Sequence, residues 1–409
     1  MLTCRFCGTR LTRTFVNLGC SPIANEFIKA EALNHMEPFY PLHAYVCDHC
    51  HLVQIPPEQT PQNLFNAEYP YFSSFSDSWL AHAKKYTQMM ITRFGLHPGH
   101  RVVEVASNDG YLLQYFKEVG FPVLGIEPAN NCAEAAIAKG IPTEIRFFGN
   151  LTARALATEH AADVMVANNV LAHVPDINDF VEGFRILLKP EGIATFEFPH
   201  LLNLIQRNEF DTIYHEHYSY LSLHATRQVF AAHDLTIFDV EELPSHGGSL
   251  RLFVRHAANG KLAITPNVAR VLDKEDQAGL TRIDGYLGFE PKVQKVKREL
   301  LKFLITAKEE GKRVVGYGAP AKGNTLLNYC GVRTDLLDFT VDRSPYKQGK
   351  FLPGTHIPIY GPEKIAEVRP DYLLILPWNL QREIVEQMKS VRDWGCRFVI
   401  PIPELKVLA

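Results

Sequence analysis

The fold is decided by the stretch Val102-Val103-Glu104-Val105-Ala106-Ser107-Asn108-Asp109-Gly110. Its first four residues are typical of a buried strand, and the small and polar residues after them indicate a tight turn that leads into a helix. At such junctions the backbone can approach a ligand closely, and open α/β sheets bind their ligands there. The stretch therefore predicts a cofactor site at the carboxyl end of a parallel strand.

The alternation of strand and helix continues along the chain. A helix is predicted over residues 79–94, and β-rich runs separated by amphipathic segments follow at 123–126, 163–167 and 193–198. This alternation predicts βαβ units and a parallel sheet. Two more runs, 235–240 and 249–255, flank a Gly-rich connection at 244–248. They predict an antiparallel hairpin at the edge of that sheet.

A second α/β unit is predicted nearer the carboxyl terminus. Residues 284–311 indicate one long helix that bridges two domains, and β-rich runs then recur at 314–317, 339–341, 372–376 and 398–400. With 409 residues the chain is too long for one ordinary domain. We therefore expect an α/β protein with a small first domain at 1–65, a central Rossmann-like domain at 66–282 and a smaller Rossmann-like domain at 283–409.

The overall composition excludes several classes of protein. Hydrophobic residues make up 46%, charged residues 21%, and the net charge is −3, so neither a nucleic-acid partner nor a membrane surface is expected. No apolar run is long enough for a membrane span, and the amino terminus lacks the apolar core of a signal peptide. We expect a cytoplasmic protein, and the absence of a coiled-coil repeat is compatible with a monomer.

Two C-x-x-C pairs mark the first domain. Cys4 and Cys7 are separated from Cys47 and Cys50 by 39 residues. In a reducing compartment four such thiolates suit tetrahedral Zn²⁺, and they leave no coordination position for chemistry, so the metal is expected to be structural. The alternatives are two unrelated redox or core pairs, or a nearby imidazole in place of one thiolate, from His43, His49 or His51.

The turn after residue 105 indicates which cofactor binds. It lacks the G-x-G-x-x-G pattern, because Ala106 and Asn108 stand where glycines would admit a pyrophosphate. Asn108 and Asp109 instead suit the sulfonium and amino-acid end of S-adenosylmethionine, and Glu127 at the end of the next strand suits its ribose hydroxyls. A purely structural turn is the alternative. The candidate cofactor residues are Glu104, Ala106, Asn108, Gly110, Glu127 and Asn168.

Residues 214–220 concentrate titratable groups, with three tyrosines, two histidines and one glutamate. In an extended chain Tyr214 and Glu216 would share one face and His217 the other. The H-E-H spacing does not match the helical H-E-x-x-H metal motif, although a strand could still offer both histidines to a metal. Core histidines are a further alternative. We favour acid–base chemistry, in which a near-neutral histidine removes a proton beside a carbonyl and a nearby donor holds the enolate oxygen.

Four stretches together resemble a known family: the two cysteine pairs, residues 104–110, residues 209–217, and residues 316–325. They are similar to those of the S-adenosylmethionine-dependent deoxysugar C-methyltransferases. The resemblance implies methylation at C3 of a dTDP-linked 4-keto-6-deoxysugar through an enolate. It also implies that His217 is the base and that its companions are Tyr214, Glu216, His173 and a tyrosine of the 69–73 stretch, for which we favour Tyr71 over Tyr69. Ala106, where relatives often carry glycine, and Pro320 depart from the family pattern.

Residues 316–325 also suggest a phosphate site. A strand followed by small residues and a lysine at a helix start can bind phosphate through backbone N–H groups and Lys322. Arg343 follows the next strand, where a solvated charged loop is equally compatible with the sequence. The candidate residues for a sugar nucleotide are Tyr317, Lys322, Asn324 and Arg343.

Other functions fit part of the sequence. A C5-methyltransferase, or one that acts on oxygen or nitrogen, would share the cofactor turn, although the crowded 214–217 cluster favours a carbon acceptor. A zinc-containing interaction protein with a degenerate, non-catalytic methyltransferase fold is an alternative of a different class.

Overall fold

The computed structural model describes residues 2–65, 69 and 71–408. In them the strands are β1 (Arg13–Ser21), β2 (Tyr40–Val46), β3 (Val53–Gln54), β4 (Val102–Val105), β5 (Val123–Ile126), β6 (Thr143–Glu144), β7 (Ala162–Asn168), β8 (Leu188–Pro199), β9 (Ser219–Tyr220), β10 (Leu235–Leu243), β11 (Ser249–His256), β12 (Val314–Tyr317), β13 (Thr340–Val341), β14 (Ile359–Tyr360), β15 (Tyr372–Ile375), β16 (Arg397–Ile400) and β17 (Lys406–Leu408).

The helices in the same residues are α1 (Pro61–Leu64), α2 (Asp77–Phe94), α3 (Leu113–Glu118), α4 (Asn130–Ala138), α5 (Asn150–His160), α6 (Ile177–Leu187), α7 (Leu201–Gln206), α8 (Leu223–Ala231), α9 (Pro266–Gln277), α10 (Phe289–Glu309), α11 (Ala321–Cys330), α12 (Lys364–Val368) and α13 (Gln381–Gln387). Within the described ranges, every helix is too short or too polar to cross a lipid bilayer.

The central sheet has seven strands in the order β10-β11-β8-β7-β4-β5-β6. Strands β4 to β8 run parallel, while β11 is antiparallel to both β8 and β10. This confirms the parallel sheet and its edge hairpin. Every residue of β4 is buried, because helices cover both faces of a sheet built from βαβ units. The ends of β4, β5 and β7 therefore open at one edge of the sheet, where a ligand can bind.

The third sheet has the order β14-β13-β12-β15-β16-β17, and all its strands are parallel except β17. This is the strand order of a Rossmann-like fold. The predicted bridging helix is shorter than expected. It begins at Phe289 and ends at Glu309, because Gly288 at its start is left-handed (φ 87°) and residues 283–285 form a separate 3₁₀ turn.

The amino-terminal sheet has the order β1-β2-β3-β9, so its last strand comes from far along the chain. Strand β9 pairs with β3 and follows directly after the 214–218 cluster. On another face, Phe15 of β1 stacks on Phe289 of α10 with ring centroids 4.8 Å apart. The amino-terminal segment therefore packs against both α/β units and fixes the position of the 214–218 cluster.

Candidate active site

The turn after β4 is held in a left-handed conformation. Ala106 (φ 57°) and Asn108 (φ 50°) both have positive φ, which costs a residue with a side chain about 1 kcal/mol or more. The Glu127 carboxylate accepts the Asn108 N–H at 2.9 Å and the Ala129 N–H at 2.8 Å. The turn and the end of β5 are thus joined into one rigid rim, and burial raises the pKa of Glu127 to about 7.

Asn108 also fastens a second segment over this rim. Its Oδ1 accepts the Ser73 N–H at 2.8 Å, and its Nδ2 donates to the Tyr71 carbonyl oxygen at 3.1 Å. Asn131 of α4 donates to the Tyr69 carbonyl oxygen at 2.8 Å. Residues 71–76 therefore cover the turn after β4, and no pattern in the sequence indicates that Asn108 holds them.

Unpartnered polar atoms collect at the same edge of the sheet. Both carboxylate oxygens of Glu104 are fully buried without a hydrogen bond to a described residue, with the Tyr111 hydroxyl as their polar neighbour. Burial raises the pKa of Glu104 well above its usual range. Further buried oxygens in the same condition belong to Ser107, Asp109, Asn131, Asn168 and Asn169. Because unpaired buried acceptors are costly, this set fits a ligand that brings hydroxyl and ammonium donors, as S-adenosylmethionine does.

The 214–218 cluster is a turn, so the prediction of an extended chain with alternating faces was wrong. The His217 N–H donates to the Tyr214 carbonyl oxygen at 2.9 Å, and this bond folds the two side chains together. His217 Nδ1 lies 2.8 Å from the Thr212 carbonyl oxygen, which can only accept, so Nδ1 carries the proton. Nε2 is therefore a free base and accepts the Tyr214 hydroxyl at 2.9 Å.

His173 and Lys322, both predicted site residues, influence His217. The rings of His173 and His217 meet edge to face with centroids 4.6 Å apart. Burial lowers the pKa of His173 to about 4, and burial, His173 and Lys322 lower the pKa of His217 well below 6.5. Both imidazoles are therefore neutral near pH 7, as a general base requires.

Glu216 points away from His217. It accepts Asn25 Nδ2 of the amino-terminal segment at 2.6 Å, and the Tyr69 hydroxyl lies 3.5 Å from its second oxygen. Burial raises the pKa of Glu216 to about 7. Tyr71 is 47% exposed as a whole residue, but burial raises the pKa of its hydroxyl, which lies within electrostatic reach of Tyr214. Both tyrosines therefore border the cluster.

The carboxy-terminal unit contributes Lys322 to the same cleft. Its Nζ donates to Asn379 Oδ1 at 3.0 Å and lies 4.6 Å from the centre of the Trp378 ring. The Trp378 indole N–H donates to Asp211 at 2.7 Å. Burial lowers the pKa of Lys322, and the negative charges of Asp211 and Glu209 oppose that shift. The 209–217 stretch and the start of α11 therefore form one wall.

The other predicted substrate residues are placed differently. Asn324 is buried with its Nδ2 unpartnered among the described residues, while the Tyr317 hydroxyl donates to Gln387 at 3.2 Å and Arg343 is exposed. Two N–H groups of the predicted phosphate turn are already used, since Gly318 donates to the Val341 carbonyl oxygen and Ala319 to the Asp342 carboxylate. A phosphate would meet Lys322 and the first N–H groups of α11.

The four predicted metal ligands converge on one point. Their sulfur atoms lie within 4.8 Å of one another, with Cys4–Cys50 at 3.6 Å and Cys7–Cys47 at 3.5 Å. Tetrahedral Zn²⁺ with bonds of about 2.3 Å places its sulfurs about 3.8 Å apart, so the site fits structural zinc. His43, His49 and His51 stay outside the cluster; His43 contacts Thr14 and His51 contacts His224.

Two further residues lie at this edge of the sheet: Asn169, which the sequence places there beside Asn168 without a role, and His246, which is not among the predicted site residues. Asn169 directly follows β7, and its Nδ2 donates to His246 Nε2 at 3.2 Å. His246 comes from the connection between β10 and β11 and meets the Trp79 ring edge to face at 5.3 Å. The Gly-rich connection was predicted only as a turn. The presence of a histidine within it was the one feature of the sequence that could have indicated a functional residue there.

Comparisons with known proteins agree with this arrangement. Residues 4–65 match the family described as "Putative zinc binding domain", residues 79–240 match "Methyltransferase domain", and residues 244–403 match "C-methyltransferase C-terminal domain". The C-methyltransferase NovU of Streptomyces niveus is 36% identical over 407 residues, which cover 99% of this chain and 96% of that protein.

Other similarities are partial. A ubiquinone biosynthesis O-methyltransferase of Bordetella avium is 31% identical over 101 residues, which cover 24% of this chain and 42% of that protein. A magnesium protoporphyrin IX methyltransferase from Synechocystis, solved with bound S-adenosylmethionine, aligns at 15% identity and a TM-score of 0.34 over 44% of this chain and 82% of its own. Because the match to NovU covers almost all of both chains, the chain belongs to the NovU-like C-methyltransferases. It is an S-adenosylmethionine-dependent C-methyltransferase with an amino-terminal zinc-binding segment.

Proposed function

We propose that the enzyme methylates C3 of a nucleotide-linked 4-keto-6-deoxysugar, with dTDP as the nucleotide, through an enolate made by His217. The observation that carries this proposal is the fixed tautomer of His217. Its Nδ1–H is bound by the Thr212 carbonyl oxygen, so the lone pair at Nε2 faces the Tyr214 hydroxyl and the cleft. A neutral imidazole held this way can remove a proton from carbon, whereas transfer to oxygen or nitrogen needs less assistance.

The proposed division of labour follows from the positions of the side chains. His217 Nε2 takes the proton at C3, and the Tyr214 hydroxyl, already bonded to Nε2, turns to a sugar oxygen. Glu104, Asn108, Glu127 and Asn168 hold the cofactor with Ala106 and Gly110 in the turn, and the bound cofactor supplies an electrophilic methyl group. His173 and Glu216 keep the 214–217 turn in place, and Tyr71 reaches the cleft from the covering segment.

A sugar nucleotide fits the cleft between the central and carboxy-terminal units. Lys322 brings a positive charge to the wall that holds His217, and Arg343 and Tyr317 lie further along the same unit. Asn324 offers a buried, unpartnered amide. A diphosphate on these groups would place its sugar toward His217 and its base toward Arg343, which supports a ligand that is longer than a free sugar.

The test is deuterium exchange at carbon. In D₂O the enzyme, with S-adenosylhomocysteine in place of the methyl donor, should exchange the hydrogen next to the ketone of a dTDP-4-keto-6-deoxysugar. His217→Asn retains a donor for the Thr212 carbonyl oxygen but has no base, so exchange and methylation should both be lost while S-adenosylmethionine affinity stays within a few-fold. Full turnover by His217→Asn would disprove the assignment, and exchange at C5 would favour the C5-methyltransferase alternative.

The remaining expectations are part of the same proposal. We assign the zinc-binding domain to residues 1–65, the methyltransferase domain to 66–282 and the sugar-nucleotide domain to 283–409. The strand pairing of β3 with β9 supports close association of the first two. A cytoplasmic location and a monomeric state remain predictions, which fractionation and light scattering can test.

A further inference from the structure

The connection between β10 and β11 holds a histidine in an unfavourable conformation. His246 has φ 53° and ψ 27°, which is the left-handed region, and it is followed by Gly247 (φ 94°) and Gly248 (φ 122°). A non-glycine residue in this region costs of the order of 1 kcal/mol, and such strain is found mostly where a side chain must be aimed at a site.

The surrounding residues fix this connection firmly. Ser245 Oγ donates to the buried Glu197 carboxylate at 2.8 Å, and the Arg207 guanidinium donates to the Gly247 carbonyl oxygen. A Cβ on Gly247 would lie 2.6 Å from a Glu209 oxygen, so glycine is needed for the close approach. The strain at His246 is therefore maintained by contacts on both sides of it.

The imidazole of His246 lies between the cofactor edge and the carboxy-terminal unit. Its Nε2 accepts Asn169 Nδ2 at 3.2 Å, and Asn169 is itself left-handed (φ 53°) with a buried Oδ1 that lacks a partner among the described residues. Trp79, which contacts its ring, also stacks on Tyr111 beside Glu104. Because Nε2 is an acceptor, the neutral ring carries its proton on Nδ1 and can donate it.

The charge environment keeps this ring neutral. Burial, with a contribution from Lys322, lowers the pKa of His246 to about 4. Lys322 also lowers the pKa of His217, so one ammonium group acts on both histidines. The close approach of Gly247 to the Glu209 side chain places the connection that carries His246 against the 209–217 stretch. A neutral imidazole N–H can stabilise a developing oxyanion without giving up its proton.

We infer that His246, aimed by Asn169, is a further catalytic residue that donates its Nδ1–H to the sugar oxygen that becomes negative in the enolate. This inference rests on the proposed function. His217 Nε2 takes the C3 proton, the C–H electron pair forms the C3–C4 double bond, and the carbonyl electrons move to the C4 oxygen. That oxyanion accepts a hydrogen bond from His246, and no bond to the imidazole proton is broken. When the enolate carbon bonds to the methyl group that the bound cofactor would supply, the methyl–sulfur bond breaks with its electron pair left on sulfur, and the carbonyl re-forms. His217 then returns its proton to solvent, and His246 is unchanged.

Two variants test the role with the full-length enzyme. His246→Gly keeps the left-handed backbone and removes the donor, so kcat and the rate of deuterium exchange into a dTDP-4-keto-6-deoxysugar should both fall about 100-fold. Added imidazole should restore part of each rate. His246→Asn tolerates the same backbone and offers an amide N–H near the position of Nδ1, so it should lose less, about 10-fold.

The matched control is His356→Gly. His356 is also left-handed (φ 56°), but its imidazole contacts Glu37, and neither residue belongs to the proposed site, so exchange and turnover should stay at the wild-type level. The inference would be overturned if His246→Gly exchanged deuterium at the wild-type rate. It would also be overturned if His246→Gly lost activity together with a lowered melting temperature and added imidazole did not restore that activity. If the wild-type enzyme neither exchanges nor methylates the sugar nucleotide, the proposed function itself fails, and this inference fails with it.

Discussion

His217 Nδ1 lies 2.8 Å from the carbonyl oxygen of Thr212, five residues earlier in the chain. This contact assigns the proton of the ring without reference to any ligand, because a carbonyl oxygen can only accept. It leaves Nε2 as the basic nitrogen and holds it at the Tyr214 hydroxyl. The turn that creates this contact is short and local. The residues that bury the ring and lower its pKa, such as His173 and Lys322, come from other parts of the chain.

The pH dependence of catalysis should reflect this buried ring. Because burial lowers the pKa of His217 well below 6.5, the base stays neutral and active as the pH falls through 6.5. We therefore expect kcat/KM for the sugar nucleotide to show no loss near pH 6.5 that is due to His217. The measurement is a kcat/KM profile between pH 5 and 8. A tenfold fall per pH unit that begins at 6.5, and moves in the Lys322→Gln variant, would contradict it.

Cofactor binding should release a proton from Glu104. In the free protein burial raises the pKa of this carboxyl, and a cationic ligand would favour its charged form and so lower that pKa again. Calorimetry with S-adenosylmethionine in buffers of different ionisation enthalpy should show that Glu104→Gln releases about one proton fewer than the wild type. Its affinity should also fall by 10-fold or more. Because the pKa of Glu127 is about 7, this carboxyl can release a proton too, and the Glu127→Gln variant measures that contribution separately. Equal numbers of protons released by the wild type and by Glu104→Gln would refute the prediction.

Ala106→Gly should stabilise the protein. Ala106 has φ 57°, a conformation that glycine adopts without the steric cost that a Cβ imposes, so we expect the free energy of unfolding to rise by about 1 kcal/mol. Urea denaturation measures the change. Ala133→Gly is the control: Ala133 is buried inside α4, where glycine adds freedom to the unfolded chain and relieves no strain, so that variant should be less stable. Loss of stability in both variants would show that the turn gains nothing from glycine.

Removal of zinc should impair catalysis more than cofactor binding. The cysteine cluster is joined to the 214–218 turn through the pairing of β3 with β9 and through the hydrogen bond from Asn25 to Glu216. After treatment with a strong chelator, or in Cys47→Ser, we expect a lower melting temperature and a large loss of turnover. S-adenosylmethionine affinity should change by only a few-fold, because the cofactor rim belongs to the central sheet.

The control for zinc removal is Cys20→Ser. Cys20 is exposed and lies outside the cluster, so this variant should behave like the wild type. A chelated enzyme that keeps its melting temperature and its turnover would show that the four thiols do not hold a structural metal.

The local elements of the fold were readable from the sequence. Strands β4 and β5 have their predicted bounds, the edge hairpin is present, and the four cysteines converge as their spacing predicts. These features depend on short-range patterns: continuous apolar runs for buried parallel strands, glycine at turns and paired thiols on tight knuckles. The exceptions were also local, since Gly288 delayed the start of α10 and the 214–218 segment folded as a turn.

The environment of the proposed catalytic groups was decided by the tertiary structure alone. Sequence order identified His217 and Lys322, but their shared wall requires the third sheet to pack against residues 209–213, which lie more than 100 positions earlier. The pairing of Asn169 with His246 joins two strand ends separated by 77 residues. Such contacts form because whole sheets pack together. A short stretch of sequence does not show which distant segments will meet in that packing. The sequence determined which chemical groups are available, and the packing determined which of them are neutral, aligned and close enough to act together.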